Sequence, residues 1–186
     1  MTTATTIAHG GRLDAARLRF PHAPQPWVDL STGINPRAFP LPALAAETWT
    51  RLPDEAAFAA LETAARAAYH APSYIDIIPG AGAQAFIQII PRLFAAHRVA
   101  VLGFTYAEHA ACWAASGAAV RVVETLEALA DFDAAVIVNP NNPDGRIIAP
   151  ETLAALGRDM SRKGALLIVD ESFMDFTPAQ SVVPSM

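Results

Sequence analysis

Two short apolar runs, each ending abruptly in polar residues and separated by one helix-length stretch, constrain the fold more than any other feature of this chain. The first, Val136-Ile137-Val138, runs into Asn139-Pro140-Asn141-Asn142-Pro143-Asp144-Gly145. Pro140 and Pro143 fix φ and remove backbone donors, and Gly145 accepts a positive φ at the exit of the turn, so the strand must stop there. The second run, Ala165-Leu166-Leu167-Ile168-Val169, ends in Asp170-Glu171-Ser172-Phe173. Between them the spacing predicts a helix from Pro150 to Lys163. Strand, helix and strand of these lengths form a parallel crossover unit. Amides then follow one strand and a carboxylate ends the next, at the sheet end where open α/β folds bind ligands.

The alternation continues upstream. A helix is expected over about Asp54 to Tyr69, with Phe58, Leu61 and Ala65 on one face. A strand at Tyr74–Ile78, the turn Pro79-Gly80-Ala81-Gly82-Ala83 and a helix from Gln84 to about Ala96 come next. Val99–Leu102, Val120–Val123 and Ala135–Val138 read as strands, and Ala107–Ser116 as a helix. This order implies an α/β protein with a mostly parallel sheet. Residues 1 to about 30 read as a mixed arm in which Pro21, Pro24 and Pro26 break any long helix.

Composition narrows the function classes. A chain of 186 residues with 53% apolar and 17% charged residues is built to bury a core. Its net charge of −5 provides no basic surface, so no nucleic-acid partner is expected. No apolar run approaches the roughly 20 residues of a membrane span, and residues 1–20 carry charges without a sustained apolar segment. Cys112 is the single cysteine, which rules out an internal disulfide. The expectation is a cytoplasmic protein. His22, His70, His97 and His109 show no ligand spacing with each other or with Cys112, so no metal site is expected.

The candidate site residues follow strand ends. The small residues Gly80, Ala81, Gly82 and Ala83 open a helix, where backbone N–H groups can cradle an anion; the same composition also serves ordinary α/β turns. Ala85 stands where a third glycine would complete G-x-G-x-x-G, which disfavours a dinucleotide fingerprint. Asp170, at the end of a buried strand, fits a ligand-facing acid, a helix cap or a structural salt bridge. Tyr106, after the strand at 99–102, offers a flat π-face or simply packs. Asn139 and Asn141 read as turn formers. His9, Ser31, Gly33 and Asn35 supply small or polar groups in two N-terminal segments, His9-Gly10-Gly11-Arg12-Leu13-Asp14 and Asp29-Leu30-Ser31-Thr32-Gly33-Ile34-Asn35-Pro36.

The N-P-x-N-P-x-G turn and the D-E-x-[YF] strand end together resemble the fold-type-I pyridoxal-phosphate enzymes, the aspartate-aminotransferase superfamily. Within it the chain is similar to the histidinol-phosphate aminotransferase branch. The two N-terminal segments favour its L-threonine-O-3-phosphate decarboxylase subgroup, of cobalamin biosynthesis. The resemblance implies the three-layer, mostly parallel α/β sheet of the aminotransferase large domain, incomplete at the C-terminus. Residues 1–50 would be an N-terminal arm and small-domain segment, and 51–186 an incomplete domain for pyridoxal 5'-phosphate. It also implies that Gly80–Ala83 hold the cofactor phosphate, Tyr106 stacks on the ring and Asn142 donates to the phenolic oxygen. Asp170 would be the catalytic acid that keeps the ring nitrogen protonated. His9, Ser31, Gly33 and Asn35 would grip the phosphate of a small phosphorylated amino acid, in a homodimer when full length. Phe173 stands where aminotransferases usually carry a tyrosine, and Leu52 where many relatives place one. The implied activity is decarboxylation of L-threonine O-3-phosphate to aminopropanol phosphate. The alternatives are a histidinol-phosphate-type aminotransferase and a non-catalytic module that keeps a cofactor-shaped cleft.

Chemistry with this cofactor needs a lysine. The chain has one, Lys163, which is expected at a helix end on the far side of the sheet. The expectation is therefore an inactive N-terminal portion of an enzyme, with open sheet edges and with Val182, Val183 and Met186 lacking any element to pack on.

Overall fold

The computed structural model describes residues 10–186 and separates into two compact units, Met1–Leu52 and Pro53–Met186. The first holds two short helices, α1 (Leu13–Arg19) and α2 (Glu47–Thr50), joined by irregular chain. Proline recurs through that connection and denies it longer helices. Leu30, Phe39, Trp49 and Leu52 stay largely exposed there.

The second unit begins with α3 (Glu55–Ala68), whose N-cap Asp54 accepts a hydrogen bond from the Ala57 amide at 2.9 Å. After it come α4 (Ala83–Leu93), β1 (Arg98–Leu102), α5 (Ala107–Ala115), β2 (Ala119–Val123), β3 (Ala134–Val138), α6 (Pro150–Arg162) and β4 (Leu166–Asp170). Pro150 takes the first turn of α6, where its missing N–H costs nothing. The four strands are all parallel, in the order β2-β1-β3-β4. From β1 the chain steps outward to β2, then returns across β1 to β3. The direction of winding therefore reverses between β1 and β3, and the reversal opens a crevice at their carboxyl ends.

Period-two alternation sorts the side chains into two layers of core. Val99, Val101, Ala134 and Val136 face Trp113 of α5, with Ile90 of α4 and Leu166 and Ile168 of β4 packed against them. Ala100, Leu102, Ala135 and Ile137 face Leu153 and Met160 of α6, together with Leu129, Leu167 and Val169. A fully buried Val, Leu or Met contributes about 1.5–3 kcal/mol, so these two layers hold the sheet between α4/α5 and α6. The same parity carries to the end of β4. Asp170 continues the α5-facing row of Leu166 and Ile168, and Glu171 turns to the α6 side.

Two expectations are corrected. Tyr74–Ile78 is not a strand. A strand exists only through a ladder partner, and this segment finds none among the described residues. Its chain is held instead by the Arg66 guanidinium, which donates to the carbonyls of Pro72 and, at 2.8 Å, Ile75. Of the C-terminal residues expected to lack a packing partner, Val182 has one, whereas Met186 stays exposed. Val182 is buried in the α6-facing core, and Glu171 fastens it there: its carboxylate accepts from the Val182 amide at 2.8 Å and the Ser181 hydroxyl at 2.6 Å.

Candidate active site at the carboxyl end of the sheet

A cavity of about 390 Å³ lies where the α4 N-terminus meets the end of β4, lined by Gly80, Gly82, Ala83, His109, Asp170 and Ser172 among others. Gly82 caps α4 with φ +82°, a backbone that only glycine adopts freely, and brings no side chain to the first amides of the helix. Gly80 is required for a different reason. A Cβ there would lie 2.6 Å from the Phe86 ring, which folds over the turn. This end of the cavity therefore combines the first amides of α4, at the positive end of the helix dipole, with the apolar side chains of Phe86, Ile87 and Ile90.

At the other end stands Asp170, whose two oxygens have distinct partners. Oδ2 lies 2.8 Å from His109 Nε2, and Oδ1 accepts from the Ser172 hydroxyl at 2.5 Å and the Ser172 amide at 3.0 Å. Burial pushes the Asp170 carboxyl up, but the hydrogen bonds from His109 and Ser172 outweigh it and leave it below its ordinary value. The acid is ionised, and His109 Nε2, facing an acceptor-only carboxylate, carries the proton. His109 is itself buried on α5, one turn before the buried Trp113.

Tyr106, at the N-cap of α5, does not line the cavity but borders it. Its ring meets the His109 ring edge-on, with centroids 6.3 Å apart. Its hydroxyl donates to Gln84 Oε1 at 3.3 Å, and the Gln84 amide donates to Glu108 Oε2 at 3.4 Å. Burial first, then the negative charges of Glu108 and Asp170, raise the Tyr106 phenol above its ordinary value, so it remains a neutral donor.

The turn after β3 is a self-contained unit. Asn139 is fully buried and exchanges two hydrogen bonds with the Ile148 backbone. Asn141 donates to Asp144 Oδ1 and, at 3.1 Å, to the Phe104 carbonyl, which closes the crevice between the β1 and β3 loops. Both asparagines are spent on the turn, as expected. Asn142 is half-buried beside them and, like Ala81, does not line the cavity.

Of the residues expected to hold substrate, His9 lies outside the described residues. The others belong to the first unit. Ser31 Oγ accepts from the Gly11 amide at 2.8 Å and donates to Asp29 Oδ1 at 2.5 Å. A Cβ on Gly10 would stand 2.0 Å from the Ser31 carbonyl oxygen, so the two N-terminal segments are folded against each other. Asn35 accepts from the Arg37 amide at 2.9 Å, and Gly33 is exposed. Leu52 is 93% exposed. Lys163 Nζ donates to the Ala130 carbonyl at 3.1 Å, beside the amino ends of β3 and β4 and a sheet's length from Asp170.

His109, Trp113 and Ser172 were missed by sequence reasoning. Tyr106, His109 and Trp113 follow helical spacing, a signal available in the sequence once α5 is taken to face the strand that ends in Asp170.

The sequence profile of the aminotransferase class I and II family matches residues 25–185. The chain belongs to this family. Threonine-phosphate decarboxylase of Pseudomonas aeruginosa is 44% identical over 179 residues, covering 95% of this chain and 53% of the relative. That of Sinorhizobium sp. is 43% identical over 178 residues, with 95% and 53% covered. The chain thus spans about half the length of the curated relatives it matches. Among solved structures, histidinol-phosphate aminotransferase from Clostridium acetobutylicum superposes with a TM-score of 0.59 at 24% identity, covering 69% of this chain and 41% of that one. The Sinorhizobium meliloti enzyme in complex with pyridoxal-5'-phosphate gives 0.54 at 22%, covering 68% and 38%. These two establish the fold: the sheet is that of the aspartate-aminotransferase type.

The cofactor of the family is pyridoxal 5'-phosphate. The cavity fits its chemistry, because unfilled helix-terminal amides suit a phosphate and an ionised, buried carboxylate suits a protonated ring nitrogen.

Proposed function

We propose that this chain carries the cofactor-holding part of a pyridoxal-phosphate enzyme that decarboxylates L-threonine O-3-phosphate. The single observation that carries the reading is the identity of 43–44% to two threonine-phosphate decarboxylases over 95% of the chain. The residues of the site support it. Phe173, next to Ser172, has no hydroxyl, so the tyrosine-to-cofactor hydrogen bond usual in transamination has no donor at this position.

The roles follow from the chemistry of each group. The amides at the start of α4 hold the phosphate, and Gly82 and Ala83 keep that approach free of side chains. Asp170 holds a proton on the ring nitrogen, and His109 keeps the carboxylate ionised and aimed. Tyr106, which borders the cavity, would flank the ring, and Asn142, which lies off the cavity wall, is assigned the phenolic oxygen on the family's pattern alone. When bound, the cofactor supplies an electron-withdrawing ring that accepts the pair released as the Cα–carboxylate bond breaks. Carbon dioxide leaves, a proton replaces it at Cα, and aminopropanol phosphate is the product. Ser31, Gly33 and Asn35, with His9, bind the substrate phosphate. The protein acts as a homodimer in the cytoplasm, in the biosynthesis of cobalamin.

A chimera tests the reading. The chain is joined to the C-terminal half of the Pseudomonas relative and assayed with pyridoxal phosphate. Release of carbon dioxide from L-threonine O-3-phosphate is the expected result. Amino-group transfer from histidinol phosphate to a 2-oxo acid, without carbon dioxide release, would assign the chain to the aminotransferases instead.

A further inference from the structure

The reading above leaves the one hydroxyl on the cavity wall, that of Ser172, unassigned. Ser172 is exposed, contributes nothing to the core, and directs both its hydroxyl and its backbone amide to a single oxygen, Asp170 Oδ1. A carboxylate offers about four lone-pair sites, two on each oxygen. Ser172 fills both on Oδ1, and His109 fills one on Oδ2. A single acceptor position therefore remains, on Oδ2. Without the Ser172 hydroxyl, Oδ1 would keep only the 3.0 Å bond from the Ser172 amide and would gain an open lone pair; the hydroxyl fills that position and, with His109 on Oδ2, fixes χ2 from both oxygens.

We propose that Ser172 is a positioning residue that locks Asp170 so that one lone pair of Oδ2 is presented to the cavity, the geometry that accepts a single N–H from a protonated aromatic ring. The role rests on the cofactor reading for its ligand, but not for its effect on Asp170. The charged and titratable groups around Asp170 are His109 and Tyr106 from α5, Glu108 behind Tyr106, and Glu171, whose carboxylate is engaged on the opposite face with Ser181 and Val182. None of them approaches Oδ1, which leaves Ser172 in sole control of that oxygen among the described residues.

The test uses the whole chain with Ser172→Ala and Ser172→Thr. Two quantities are read: the pH titration of the Asp170 side-chain carbon by NMR, and the affinity for pyridoxamine 5'-phosphate, which needs no lysine, through isothermal titration calorimetry. Inorganic phosphate, which engages only the α4 end, is the control. Ser172→Ala is expected to move the Asp170 titration to higher pH and to weaken pyridoxamine phosphate about fivefold, one hydrogen bond's worth. Inorganic phosphate should bind as before, and Ser172→Thr should restore both readings. An unchanged Asp170 titration in Ser172→Ala, or a loss that threonine does not restore, overturns the assignment. If the unsubstituted chain binds inorganic phosphate but not pyridoxamine phosphate, the cofactor reading fails, and the Asp170 titration by itself decides the role of Ser172.

Discussion

At the scale of single residues, the site is organised by a carboxylate that burial opposes and hydrogen bonds rescue. Removing the histidine leaves that charge short of a donor. His109→Leu should therefore destabilise the chain by about 1–3 kcal/mol, the cost of an unsatisfied buried group, and shift Asp170 ionisation to higher pH; urea unfolding and NMR titration measure the two. The sign of the pH dependence follows from the lowered Asp170 value. A carboxyl whose folded pKa lies below its unfolded one contributes its stability in full above the unfolded value near 3.9, and loses it as pH falls through the folded one. Asp170→Asn should flatten the loss of stability below about pH 4 relative to the unsubstituted chain. Because Asp29, Asp133 and Asp144 are lowered as well, the difference between the two proteins isolates the contribution of Asp170. An identical acid limb in both would contradict the assignment. Asp170 could be singled out in the sequence because a charge at the end of an apolar run is anomalous. His109 was harder to find, because its partner lies 61 residues away and its helical spacing with Tyr106 and Trp113 becomes a signal only once α5 is set against β4.

At the scale of elements, β1 to β4 were legible because each is a short apolar run stopped by a glycine, an asparagine or an acid, and the helices because apolar residues recur on one face. Their ends fall within a residue or two of the pattern, except that α4 stops at Leu93 rather than near Ala96. Tyr74–Ile78 has the same look and is no strand, because a strand is a property of two segments and only one of them can be seen in a local pattern. The two-sided role of the β4 end was hidden for a related reason: Asp170 and Glu171 are adjacent carboxylates in the sequence, and only the pleat sends one to the cavity and the other to Val182. The α4 turn can be tested by substitution. Gly82→Ala meets nothing within 4 Å, so its cost is backbone strain at φ +82°, about 1–3 kcal/mol, together with weaker binding of inorganic phosphate at the helix end. Gly80→Ala meets the Phe86 ring instead, and a companion Phe86→Leu should recover part of the loss. Calorimetry of the single and double variants checks both. Equal effects with no rescue would show that the turn is not held as described.

At the scale of the whole molecule, the placement of Lys163 predicts how the chain behaves with its family's cofactor. Its ammonium is engaged with Ala130 at the amino ends of the strands. Borohydride reduction in the presence of pyridoxal phosphate should therefore give no saturable labelling of Lys163, and the chain alone should not turn over threonine phosphate. Stoichiometric labelling that threonine phosphate blocks would put that lysine in the cavity and contradict the topology. Cutting the Glu171 clamp with Glu171→Gln should loosen Val182 and lower the unfolding midpoint, while the Asp170 titration is preserved.

The sheet order carries one more consequence, for how such a chain is made. The turn at Gly80–Ala83 precedes all four strands, and Asp170 is the last residue of the last one described. A ribosome adding roughly 5–20 residues per second needs on the order of 4–18 s to travel from Gly82 to Asp170. Through that interval the nascent chain has the glycine turn but no Asp170 to face it across the cavity. The cavity is thus completed late in synthesis, by the arrival of β4 beside β3.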